Sequence, residues 1–70
     1  MTALVTPYAE ILALLDSLPV LVREKRRREG LSLRQAARDT GLSFSTICRC
    51  ENGDDIVLTH ARALLAWISS

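Results

Sequence analysis

The stretch that most limits what this chain can become runs from Ser32 to Gly53, SLRQAARDTGLSFSTICRCENG. It predicts two short helices joined by a tight turn. Ser32 can cap the first helix by accepting a hydrogen bond from a free backbone N–H. From Leu33 to Asp39 the apolar residues Leu33, Ala36 and Ala37 recur at helical spacing, and Arg34, Gln35, Arg38 and Asp39 take the opposite side. Gly41 supplies the positive φ that ends a helix and opens a sharp turn. Leu42 can plug that turn into a core. Ser43 caps the second helix, which runs to about Glu51 before Asn52-Gly53 breaks it.

Two helices that cross closely need a small residue at the crossing, a turn-permitting residue and an apolar anchor. Ala37, Gly41 and Ile47 supply these in turn. The combination resembles the helix-turn-helix motif. The ending Ile47-Cys48-Arg49-Cys50-Glu51-Asn52-Gly53 further resembles the phage repressor and Cro-type helix-turn-helix family. Upstream, RRREGLS from Arg26 to Ser32 matches that family's basic first helix, its Gly-Leu-Ser link and its next cap. The resemblance covers about residues 20–69. It implies a buried ion pair between Arg26 and Glu51, and a phosphate contact from Asn52 through the helix end. One residue departs from the pattern: family members commonly carry glutamine where this chain has Leu33. Leucine cannot hydrogen-bond to the DNA backbone or to a recognition residue, but it could pack beside Phe44.

The charge pattern runs with the motif. The chain's net charge is +1, yet residues 19–50 hold seven arginines and one lysine against Glu24, Glu29 and Asp39, a net +5. The segments on either side are each −2. A basic face on a helix is often only solvated. Its coincidence with the two-helix stretch favours a phosphate-facing surface.

Seventy residues make one small domain, and a core this size is marginal alone, so oligomerisation or very regular helix packing is expected. No run of apolar residues is long enough for a membrane span. No basic region precedes the apolar N-terminal stretch, so a signal peptide is not expected. Cys48 and Cys50, two apart, make no disulfide framework and suit a reducing cytoplasm, which the resemblance places in a bacterium or phage-infected host cell. On a helix they point to different sides, and no second ligand pair exists, so no metal site is expected. His60 stands alone. No acid pair, phosphate loop or nucleophile elbow is present, so neither an enzyme nor a cofactor is expected.

Met1 to Val5 reads as loose. Thr6-Pro7 reads as a helix start, with a helix to about Ser17. Tyr8, Ile11, Leu12 and Leu15 make its apolar stripe, and Leu14 and Leu18 widen it. Two readings stay open: the helix packs on the rest of the domain, or its surplus apolar face meets a partner. Pro19 starts the next helix, to about Glu29, with Val22 inward. Lys25 to Arg28 point all around it, so one of the four must face the domain. Beyond Gly53, Ile56 and Leu58 are expected to tuck inward, Asp54 and Asp55 to point away from DNA, and Thr59 to cap a last helix to Ser69. Ala61, Leu64, Leu65 and Ile68 form that helix's stripe. Trp67 is either a lid on the core or part of a dimer face.

At about 100° per residue, Thr46, Ile47 and Cys50 share one arc of the second motif helix and Phe44, Ser45, Cys48 and Arg49 the other. The first arc suits a core. The second suits base edges, since Arg can donate twice to guanine and Phe or Cys can pack on a thymine methyl. The alternative folds Phe44 back into the core and leaves Arg49 in water. Phosphate contacts are expected from Arg27, Arg28, Ser32, Arg34, Ser43 and Asn52.

The expected fold is therefore all-α, about five short helices: a lambda-repressor-like helix-turn-helix domain over residues 19–70, with an extra apolar helix within residues 1–18. The expected function is sequence-specific binding of double-stranded DNA by a small phage-type repressor or Cro-like regulator, acting as a homodimer on a two-fold operator. The other reading is a helix-turn-helix interaction module whose first helix binds a protein, such as a toxin, recombinase or polymerase subunit.

Overall fold

Two prolines expected at helix starts both lie inside one helix. The computed structural model describes residues 2–70, with side chains from residue 7 onward. Among the described residues there are four helices: α1 (Thr2–Arg28), α2 (Leu33–Thr40), α3 (Phe44–Glu51) and α4 (Leu58–Ser69). The expected count of about five is corrected because the segments on either side of Pro19 are continuous. Pro19 lacks an N–H for the Leu15 carbonyl and normally costs about 3 kcal/mol inside a helix. Here Leu18 and Val22 flank it and are both buried in the core, so packing holds the helix through the defect. Thr6-Pro7 likewise starts nothing, and the expected loose segment is helical from Thr2. Extending an existing helix fixes one residue per bond gained and needs no new nucleus. Met1 lies outside the described residues.

The core takes residues from every helix. Leu18 and Val22 come from α1, Ala36 and Ala37 from α2, Ile47 and Cys50 from α3, and Ala61, Leu64 and Trp67 from α4. Leu31, Leu33, Leu42, Ile56, Leu65 and Ile68 pack around them. Ala36 and Ala37 are the small residues that let α2 lie close to α3. Burial pushes the Cys50 thiol up from its ordinary pKa. Trp67 is a core lid. Leu58 is corrected: it is 73% exposed. The last helix starts at Leu58 rather than after Thr59, with Val57 at the N-cap position and no side-chain cap bond.

All of residues 7–17 are exposed, including Tyr8, Ile11, Leu12, Leu14 and Leu15. Residues 7–17 of α1 therefore do not bury themselves on the motif. Leu18 belongs to the core, not to this free face.

Of the four cations from Lys25 to Arg28, two face the domain. Leu18, Val22 and Lys25 follow the spacing of an inward stripe, and Lys25 is only 5% exposed. Its Nζ donates to the Ser70 carbonyl at 3.3 Å and to Ser70 Oγ at 3.4 Å. It also lies 3.1 Å from Glu29 Oε2 and 5.4 Å from the centre of the Trp67 ring. A positive charge at the end of α4 suits the negative end of the helix dipole.

Arg26 is the second. Its Nε donates to Glu51 Oε2 at 2.7 Å and its Nη2 to Glu51 Oε1 at 2.9 Å. Its Nη1 reaches back to the Leu31 carbonyl at 3.2 Å. Arg23, one turn earlier, donates Nη2 to the Glu51 carbonyl at 3.0 Å and sits 3.5 Å from Oε1. Glu51 is 7% exposed at its side chain and Arg26 20%. The Arg26 hydrogen bonds hold the Glu51 carboxyl below the usual carboxylate range against the opposing effect of burial.

Glu51→Ala should destabilise the fold by about 3–5 kcal/mol, the cost of leaving a buried charge unpaired. A loss below about 1 kcal/mol in a denaturant titration would make the pair an ordinary surface contact. Because the folded carboxyl is lowered, the stability it contributes is complete above its ordinary pKa of about 4.3 and is lost as pH falls through the lowered value. Glu51→Gln should flatten the pH dependence of stability in that acid window.

Candidate nucleic-acid interface

The surface opposite the core is built by two short helices that cannot stand alone. Each has eight residues, below the length at which an isolated helix is stable in water, so caps and packing must hold them. Ser32 and Gln35 form a reciprocal capping box: Gln35 N–H donates to Ser32 Oγ at 3.1 Å and Ser32 N–H to Gln35 Oε1 at 2.7 Å. Ser43 Oγ accepts from the Thr46 N–H at 3.1 Å and lies 2.9 Å from Thr46 Oγ1.

The turn between them closes on Gly41, at φ +75°. The N–H groups of Gly41 and Leu42 both donate to the Ala37 carbonyl, at 2.9 and 3.2 Å. Thr40 Oγ1 donates to the Ala36 carbonyl at 2.9 Å and accepts from Leu42 N–H at 3.3 Å. Leu42 then packs against the core. At the far end of α3, Asp54 N–H donates to the Arg49 carbonyl at 2.9 Å past Gly53, a stop that only a left-handed residue makes easily.

Within α3, Ile47 and Cys50 are buried and Thr46 is half-buried. Phe44, Ser45 and Arg49 are exposed and Cys48 is half-buried. The structure thus brings these four residues to one outer arc. Phe44 does not fold into the core; it is 38% exposed. Leu33 packs on the core, and Arg34 lies over Phe44 with Cζ 4.8 Å from the ring centre. A stacked guanidinium gains attraction from the ring and keeps its in-plane donors.

The residues expected at phosphates lie at helix ends. Ser32 and Ser43 are the caps of α2 and α3, Arg34 lies in the first turn of α2, and Asn52 is the C-cap of α3. Arg27 and Arg28 are exposed in the last turn of α1. The caps already satisfy backbone N–H groups with their hydroxyls.

Asp54 and Asp55 are exposed in the α3–α4 loop. With Leu15, Asp16, Pro19, Ile56 and Leu58 they line a cleft of about 440 Å³ against α1. Arg23, Lys25 and the Arg34–Phe44 stack are the contacts that sequence reasoning missed. Arg23 could have been found, since it lies three residues before Arg26 on the same helix face. The stack had no signal, because it depends on how two helices cross. Among the described residues no three His, Cys, Asp or Glu side chains cluster as metal ligands, and no helix is long and apolar enough to cross a membrane.

A family model described as a helix-turn-helix domain matches residues 17–66. No curated protein and no solved structure shows a significant match.

Gly41→Ala isolates the cost of the turn. A Cβ at this position would meet nothing within 4 Å, so backbone strain alone remains. The substitution should cost about 1–2 kcal/mol. Thermal or denaturant unfolding measures it, and a larger loss would mean that the α2–α3 crossing itself has moved.

Proposed function

The chain belongs to the helix-turn-helix domain family, and on that premise we propose that it is a sequence-specific DNA-binding regulator of the phage repressor or Cro type. The observation that supports this best is the outer arc of α3. It carries an aromatic ring, a hydroxyl, a thiol and an arginine, while its inner arc is anchored in the core. In this reading α3 enters the major groove and Phe44, Ser45, Cys48 and Arg49 meet base edges. Arg27, Arg28, Ser32, Arg34, Ser43 and Asn52, at helix ends, meet phosphates. Such contacts set the register of the protein on the duplex and carry no sequence information. One eight-residue helix reads a short half-site, so two copies act on a two-fold operator. The protein works without a cofactor and without catalysis, in the cytoplasm.

A second reading rests on a separate observation. The N-terminal half of α1 leaves Tyr8, Ile11, Leu12, Leu14 and Leu15 uncovered. That face serves contact with a protein, either a second copy or a different partner, with DNA binding secondary.

Arg49 and Arg28 separate base from phosphate contact. On a duplex selected from a random library, Arg49→Ala should cost about 1–3 kcal/mol and relax preference at one base pair. Arg28→Ala and Asn52→Ala should weaken binding to selected and scrambled duplexes alike, and loss of Arg28 should lower the salt slope by about one unit. Titrations at several salt concentrations check this. Equal loss on both duplexes for Arg49→Ala would assign Arg49 to phosphate.

The free face of α1 is tested by sedimentation of the full chain and of Leu12→Glu with Leu15→Glu. Both side chains are exposed, so the double variant should keep its fold. A dimer that dissociates in the variant places the interface on α1. A chain monomeric both free and on DNA would remove the second copy from either reading.

A further inference from the structure

We propose that Arg34 and Phe44 act as one composite reader of a thymine next to a guanine, and that Arg34 is therefore a specificity residue rather than a phosphate contact. This deepens the DNA-binding reading above, rests on it, and replaces the phosphate role given there to Arg34.

The inference comes from the stack itself. Arg34 leaves α2 in its first turn, Phe44 is the first residue of α3, and the guanidinium sits 4.8 Å over the ring. Among the described residues Arg34 has no carboxylate partner, unlike Arg23, Lys25 and Arg26. An unpaired arginine on a surface ordinarily samples many rotamers, and a phosphate contact needs no more than a mobile charge. The ring instead gives the guanidinium a favourable seat 4.8 Å from its centre, and among the described residues no carboxylate takes its donor fork. That fork matches the O6 and N7 acceptors of guanine.

The N-terminal end of a recognition helix is the part that approaches base edges, and the stack stands at that end of α3. Phe44 presents apolar surface beside the fork, suited to the C5-methyl of a neighbouring thymine. The two side chains lie together at the surface, with the ring 38% exposed. Chemistry of this kind distinguishes thymine from cytosine by one methyl group, and would accept 5-methylcytosine in its place.

The test uses the full chain and a duplex obtained by selection from a random library. The selected site should contain adjacent thymine and guanine. Changing that thymine to deoxyuridine removes only the methyl and should weaken the wild-type protein about fourfold, the value of one apolar carbon buried at about 0.8 kcal/mol. Phe44→Ala should bind the two duplexes equally. Changing the guanine to adenine should cost the wild-type protein at least about fivefold and Arg34→Ala nothing. Arg34→Lys keeps the charge, and should keep the salt slope while weakening the guanine preference, because the planar fork that lies over the ring is lost. The proposal is overturned if deoxyuridine binds as thymine does. It is equally overturned if Arg34→Ala weakens selected and scrambled duplexes alike with a lower salt slope, which would return Arg34 to the phosphates. The deoxyuridine arm uses only wild-type protein, so no folding defect can obscure it. If selection enriches no sequence at all, the DNA-binding reading fails instead, and the two failures are distinct.

Discussion

The geometry of this small domain depends on one carboxylate. Glu51 ends α3, and Arg26 grips it with two hydrogen bonds while a third reaches the Leu31 carbonyl. Arg23 holds the backbone of the same residue. The long helix, the link to α2 and the end of α3 are thus joined at one point. Hydrophobic contact alone would let an eight-residue helix slide or rotate, because apolar packing is nearly non-directional. A two-pronged arginine–carboxylate contact is directional, so it sets the angle at which Phe44, Ser45 and Arg49 face solvent. The charge balance is consistent with this. Of the cations in the last two turns of α1, Lys25 and Arg26 are engaged inward and Arg23 from the surface, and Arg27 and Arg28 remain outside.

The parts of the fold legible in the sequence are those governed by local rules. Ser32 and Ser43 cap where they should because a hydroxyl before a helical pattern has few other uses. Gly41 turns the chain because left-handed backbone excludes most side chains. Ile47 and Cys50 fall inward by periodicity. Where sequence reading failed, tertiary packing overrode a local preference. Pro19 signals a helix break, yet the burial of Leu18 and Val22 on either side outweighs it. Thr59 signals a cap, yet α4 begins earlier without one. Leu58 has the character of a core residue and stays outside, because the neighbouring Ala61 and Leu64 already occupy that side of the core.

The outer arc of α3 was legible for the same reason as the core, since an inner arc fixes its opposite. The Arg34–Phe44 stack was not, because residues ten apart meet only through the crossing of two helices.

Trp67 has one more consequence. It is the chain's single tryptophan, it is buried at the junction of α4 with α1, and a cation lies over its ring. Its emission is thus an intrinsic optical label for that junction, with no competing indole elsewhere. It sits outside the exposed arc of α3, so a nucleobase bound there would not stack on it. Fluorescence and far-ultraviolet dichroism would then watch different parts of the molecule: the first the seating of α4 on α1, the second the helices as a whole.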